Sequence, residues 1–442
     1  MGQPVGAAEG DPMTAVVTTP TPHRVTGLVK STPGRLSLIA LLLVAVSLLT
    51  GALTGLSVQA RSAALEELAT RSEPLSFAAQ EVYRSMADAD ATAAAAFLSG
   101  GAESPQLRTR YEADIAKAAA ALSTATGESA RSPEVSAALS TLSGQLPVYT
   151  GLVETARTHN RQGNPVGAAY LREASGLMRA QLLPAAQGLY RAETANVVRD
   201  QDSAGGGPWS ELLFGLVALA ALGLAQWYVT RRTNRVFNIG LVVATGLTLV
   251  SLLWVSIASV VVAGTVSDSR ENGSSQVDVL ARARIATLTA RGDETLTLVA
   301  RGSGAAYEKR YGEVVKELGD LIARGKTLAT EPAVRDAVTS ADTSFGAWQE
   351  AHRRIREADD SGDYTTALGL AIGNDQSGAA AAFDNLDRDL VTAITKARTA
   401  FTGSVATARG ALTGTVAVVT LLALGAAVAS VMGLWQRLKE YR

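Results

Sequence analysis

Four stretches of this chain run long enough without a charged side chain to cross a lipid bilayer, and they constrain its fold more than any other feature. They fall in residues 36–58, 211–230 (uncharged from Leu212 to Val229), 236–266 and 411–434. A helical span needs about 20 predominantly apolar residues, and each stretch supplies them. The first could be mistaken for a cleaved leader. Its apolar run, however, exceeds the roughly 7–15 residues of a leader core, and Val58-Gln59-Ala60 is a poor cleavage motif. It therefore reads as a span.

The cations set the expected orientation. Arg231, Arg232 and Arg235 crowd the short turn 231–235 between the second and third spans. Arg24, Lys30 and Arg35 precede the first span, and Arg437, Lys439 and Arg442 follow the fourth. Short basic segments stay in the cytoplasm. Both termini are thus expected inside, in the cell membrane, with the long segments 59–210 and 267–410 outside. Residues 1–35, rich in Thr, Pro and Gly, read as a disordered cytoplasmic tail, and 435–442 as a short cytoplasmic end.

The long segments look like two copies of one unit. Ser132-Pro133-Glu134-Val135 aligns with Glu331-Pro332-Ala333-Val334. At the same offset Tyr149 meets Trp348, Arg157 meets Arg356, Gly163 meets Gly362, Ala168 meets Ala367 and Leu171 meets Leu370. Arg110-Tyr111 matches Arg310-Tyr311 one residue further apart. Each unit reads as span, outer domain, span, so the copies share one orientation, unlike an inverted repeat.

Each outer segment reads as four helices. In the first, 60–99 is a long helical run, broken at Ser99-Gly100-Gly101. Ser104-Pro105 and Ser132-Pro133 open the second and third helices as N-cap and first-turn proline. Asn164-Pro165 opens the fourth. The second segment repeats this, with breaks at 301–304, 330–332 and 360–363. Ala is abundant and aromatics are only 5%, which suits helices better than sheets. The expected fold is an all-α membrane protein: four transmembrane helices and two extracytoplasmic four-helix-bundle, sensor-like domains in a tandem parallel repeat. The helix lengths put two loops at each distal tip. They contain Gly101, Glu103, Ser104, Asn160, Gln162 and Asn164 in one domain, and Arg301, Ser303, Asp359, Asp360, Asp363 and Tyr364 in the other. These are the expected partner-binding residues.

No active site is legible. His23, His159 and His352 have no second ligand at helical spacing, cysteine is absent, and no phosphate loop appears. No catalytic, cofactor-binding or metal-binding residue is expected, and the chain does not read as an enzyme. Asp88 with Asp90, and Asp293 with Glu294, read as solvated helix faces. The spans lack the ionisable groups that ion-coupled transport requires. Net charge of −1 implies no affinity for nucleic acid. Gly51 and Gly55 in the first span, and Gly425, Ala429 and Gly433 in the fourth, have the small-residue spacing of packed membrane helices. Arg231, Arg232, Arg235, Arg437 and Lys439 are the expected cytoplasmic docking patch, because so little else faces inward.

The length, the paired span–bundle–span units, the Arg231-Arg232-Thr233-Asn234-Arg235 turn and the short basic ends resemble the actinobacterial GlnX membrane proteins. The Arg-, Ala- and Gly-rich composition fits a GC-rich actinobacterial genome. The resemblance implies a place between GlnH, an extracytoplasmic amino-acid-binding lipoprotein, and PknG, a cytoplasmic Ser/Thr kinase. It further implies sensing of aspartate or glutamate. It transfers no site residue. A direct small-molecule receptor, a transporter accessory subunit and a structural envelope protein are the alternatives, and a homodimer is compatible with any of them.

Overall fold

A computed structural model describes residues 32–99, 104–128, 132–233, 238–373 and 375–439. Every regular element among them is helical. We number the α-helices α1 Thr32–Glu67, α2 Glu73–Leu98, α3 Pro105–Glu128, α4 Pro133–Arg161, α5 Val166–Leu177, α6 Leu183–Gly205 and α7 Trp209–Thr233. Then follow α8 Ile239–Ser269, α9 Ser275–Val299, α10 Ala305–Leu328, α11 Pro332–Asp360, α12 Tyr364–Ile372, α13 Ala379–Leu412 and α14 Thr415–Lys439. The chain divides into two compact units.

Of the described residues, the smaller unit comprises 32–54, 210–233, 238–253 and 417–439. Among the described residues four helical runs are long and apolar enough to cross a membrane. At most 28% of each run's apolar stretch is buried inside the protein, so most of that apolar surface faces outward, as a lipid-covered helix requires. The inner stripes meet in a core of Leu36, Leu43, Leu222, Val229, Leu241, Ala244, Ala426 and Leu434. Small residues set the spacing. A Cβ on Gly51 would overlap the Cβ of Ala423, and one on Gly240 would overlap the Gly433 backbone. The Asn238 amide donates to the Gly433 carbonyl at 2.9 Å, tying α14 to the start of α8.

The larger unit comprises residues 55–209 and 254–416. Its two segments were expected to form two separate bundles; they share one core instead. The core runs from Val82, Met86 and Tyr149 through Leu280, Leu296 and Trp348 to Leu386 and Leu390. Helices α2 and α9 pack against each other at its centre. Around them each segment contributes matching elements: α3 and α10 have 24 residues each, and α4 and α11 have 29 each. Expected starts are visible in detail. Ser132 Oγ accepts from Val135 N at 3.2 Å, Asn164 Oδ1 from Val166 N at 3.2 Å and Asp363 Oδ1 from Thr366 N at 3.0 Å. Ser104 differs: its hydroxyl turns to Gln106 Oε1 at 2.6 Å.

Four local features depart from the sequence reading. The long first helices each carry a π-helical turn, Leu68–Ser72 and Arg270–Ser274. A third π turn, Met178–Leu182, joins α5 to α6. At the corresponding place in the second segment the helix breaks altogether between Ile372 and Ala379. The fourth apolar run is interrupted at Thr413-Gly414, where Gly414 has φ +79°, so the span expected from residue 411 starts at Thr415. The expected tail residues 1–31 lie outside the described residues.

Candidate functional site

The centre of the larger unit carries charge. Residues 82–96 of α2 and 290–299 of α9 are buried on every face of their helices. A helix buried all round is ordinarily apolar. These two contain Arg84, Asp88, Asp90, Arg291, Asp293 and Glu294, each at most 7% exposed. The sequence reading placed the four acids on solvated faces, and the structure overturns that. Arginines from surrounding helices replace the water. Arg110 on α3 donates to Asp88 Oδ1 at 3.0 Å and to Asp384 Oδ1 on α13 at 3.1 Å. Arg310 on α10 donates to Asp293 Oδ2 at 2.8 Å, and Arg179 lies 3.9 Å from Asp293. Asp90 accepts from Ser175 Oγ at 2.8 Å and from Tyr149 OH at 3.3 Å. The Arg110 and Arg179 contacts join the two segments across the core.

The electrostatics follow from burial and pairing. Burial pushes the Asp90 carboxyl up, against the opposing pull of Arg179, Ser175 and Tyr149. Asp114 is pushed up to about 7, first by burial and then by the neighbouring Asp88 carboxylate. Burial also works against the Glu294 carboxylate, but Arg291 and His352 outweigh it and hold it below the usual range. His352 Nε2 reaches Glu308 Oε1 at 3.1 Å, and the Tyr311 ring stacks on the imidazole. Arg356 continues the line, 3.6 Å from Glu308 and 2.6 Å from Asp359. The result is a chain of paired charges from Glu294 in the core to the last turn of α11.

Loops from both segments line one cleft of about 430 Å³. Four expected partner-binding residues meet there: Asn160 and Asn164 from the first segment, Arg301 and Tyr364 from the second. Phe97, Leu98, Val299 and Leu368 supply apolar lining. The Asn160 amide donates to Phe97 O at 2.9 Å, and the Arg301 guanidinium lies 4.8 Å over the Tyr364 ring. Arg301 has φ +39°, a left-handed backbone uncommon for any residue that carries a Cβ. An arginine with nearby amides was not legible in either segment alone, because the cluster forms only when they pack together.

The other expected tip residues are placed differently. Asp359 and Asp360 pair with Arg356, at 2.6 and 2.5 Å. Asp363 caps α12, and the Ser303 hydroxyl donates to Ala300 O at 2.7 Å. Gln162 is exposed beside Gly163, whose φ is +68°. Gly101 and Glu103 lie outside the described residues. In the expected docking patch, the Arg231 guanidinium lies 4.4 Å over Trp227 and Lys439 is exposed. Arg235 and the side chains of Arg232 and Arg437 lie outside the described residues. Among the small residues, Gly51 and Gly433 make close approaches, Gly425 faces Leu247, and the Ala429 carbonyl faces Gly240. Gly55 is looser, with Val416 4.0 Å from where a Cβ would stand.

Residues 64–202 match the family model of the actinobacterial sensor domain. The match covers the first long segment almost end to end, including Asp88, Asp90, Asn160 and Asn164. The chain thus carries a segment similar to actinobacterial sensor domains, and the similarity points to a role in sensing or signalling. Neither a curated protein nor a solved structure matches the chain.

Proposed function

We propose that this protein is a non-catalytic transmembrane signal transducer. It would relay extracellular aspartate or glutamate availability from a GlnH-like solute-binding lipoprotein to a PknG-like cytoplasmic Ser/Thr kinase. The observation that carries the reading is the sensor-domain match over 64–202, in a chain with four helical runs apolar enough to cross a membrane. The long segments, read as copies of a duplicated unit, lie outside the cell in this proposal, and the loop cleft receives the binding protein. Helical continuity supports the relay: one run extends from Gly34 to Leu98 over 65 residues, joining an apolar span to the buried charges of α2. A partner that prefers one packing of those charges shifts the helix by its differential affinity for the two packings. The Arg231–Arg235 turn with Arg437 and Lys439 is the proposed kinase-docking patch. A crosslinking pull-down from native membranes tests the relay. Arg235→Gln with Lys439→Gln should leave insertion intact and weaken recovery of the kinase; recovery at the parental level removes the patch from the proposal.

A second reading, direct recognition of a small molecule, has one observation in its favour. A cleft of about 430 Å³ between the segments is lined by Tyr83, Tyr190, Arg191, Arg282, Asp278 and Glu317. Both signs of charge and two aromatic walls suit a small zwitterion. Calorimetry on the full chain in lipid nanodiscs separates the readings. Micromolar binding of aspartate or glutamate without an added protein favours direct sensing.

A further inference from the structure

The geometry points to the loop cleft as a receptor for an acidic side chain: the extracytoplasmic partner inserts an Asp or Glu carboxylate against Arg301. This inference rests on the proposed docking of a protein at that cleft and names the chemistry of the contact. Among the described lining residues Arg301 is the charged one. The acids nearby are already engaged, Asp359 and Asp360 by Arg356 and Asp363 by the start of α12. Arg301 itself is exposed, and its described contact is the face of Tyr364. Tyr364 is held in turn by its hydroxyl, which donates to Leu298 O at 3.3 Å.

A guanidinium held over an aromatic face by the ring's negative potential still has N–H donors to spare, and its planar fork matches a carboxylate in bidentate fashion. Asn164 lines the same cleft. Phe97 and Leu368 supply apolar lining in the same cleft, which a seated partner would cover. The backbone adds independent weight. A non-glycine residue at φ +39° costs stability, and glycine at this turn position would remove the cost. An arginine held there against that cost is explained by the contact its side chain makes.

The experiment places a photoreactive side chain on the rim by Pro165→p-benzoylphenylalanine in the full-length protein and crosslinks in native membranes. The expected result is a crosslinked protein peptide that contains Asp or Glu. Arg301→Gly and Arg301→Glu should each cut the yield by at least about ten-fold, equivalent to roughly 1.4 kcal/mol. Arg301→Gly should at the same time melt no lower than the parent, which rules out misfolding as the cause. Exchanging the partner's acid for Arg should restore crosslinking to the Arg301→Glu protein. A protein crosslinked equally well to Arg301→Gly overturns the acidic anchor and leaves the docking proposal standing. Failure of any protein to crosslink from this rim overturns both.

Discussion

His352 Nδ1 stands 3.0 Å from Glu294 Oε1 in the interior of the larger unit, and its other ring nitrogen reaches Glu308. A neutral imidazole donates once; the doubly protonated ring donates to both carboxylates. Burial opposes that charge, but the two hydrogen bonds outweigh it and lift the imidazole to about 9. A histidine raised above its unfolded value stabilises fully below about 6.5, and the contribution fades as pH rises through about 9. Thermal unfolding should therefore move to lower temperature between pH 7 and 10. His352→Gln should flatten that slope and lower stability at pH 7 by roughly 3 kcal/mol. A pH profile unchanged by the substitution would show that the imidazole is neutral in the folded protein.

Asp114 has the opposite sign. Its carboxyl is raised to about 7 by burial and by Asp88, so the folded protein holds a proton that the unfolded chain releases near 3.8. Stability attributable to this group falls as pH climbs from about 4 to 7. Asp114→Asn should be neutral at pH 4 and stabilising by about 2 kcal/mol at pH 8. The cycle with Asp88→Asn should be non-additive, since the neighbouring carboxylates share the penalty. Denaturant melts of the four proteins at both pH values check this. Destabilisation at pH 8 would mean that the contacts of Asp114 with Arg84 and Lys117 dominate.

The spans and the helix starts were legible because their signals are local. Ser132-Pro133 and Asn164-Pro165 announce helix starts within a few residues, and an uncharged run declares itself. The charged core was not legible. Asp88 and Asp384 share Arg110 from positions 22 and 274 residues away, and Glu73 meets Arg398 at a separation of 325. A polar stripe on a helix has the same period whether it meets water or an arginine from another helix. The joining of the two segments into one core was hidden for the same reason, and so was the meeting of Asn164 with Arg301. The π turns Leu68–Ser72 and Met178–Leu182 did have a local mark that the sequence reading passed over: Pro74 and Pro184 each follow by two residues and cannot donate to the carbonyl four residues back.

The glycines of the first apolar run should differ in their tolerance. A Cβ at Gly51 overlaps Ala423, whereas one at Gly55 stands 4.0 Å from Val416, an ordinary contact. Gly55→Ala should be neutral or stabilising by up to about 1 kcal/mol, since alanine is the better helix former. Gly51→Ala must separate two helices and should cost about 1–3 kcal/mol. Melting temperatures in detergent rank the two variants; equal tolerance would mean that α1 and α14 pack more loosely than the structure has them.

The orientation of the chain is testable because it has no cysteine, so every introduced thiol is the only one. Ser303 is exposed and Ser104 partly so, each just before a helix of the larger unit. Thr233 ends α7, next to the basic turn. Basic short segments are retained in the cytoplasm while long segments cross regardless of their charge. Ser104→Cys and Ser303→Cys should therefore react with a membrane-impermeant maleimide on intact cells. Thr233→Cys should react only after the membrane is opened. Both outer sites must label together, because each long segment is bounded by two spans and an even number of crossings separates them. Labelling of Thr233→Cys on intact cells would invert the orientation, put the loop cleft in the cytoplasm and remove the ground for an extracellular input.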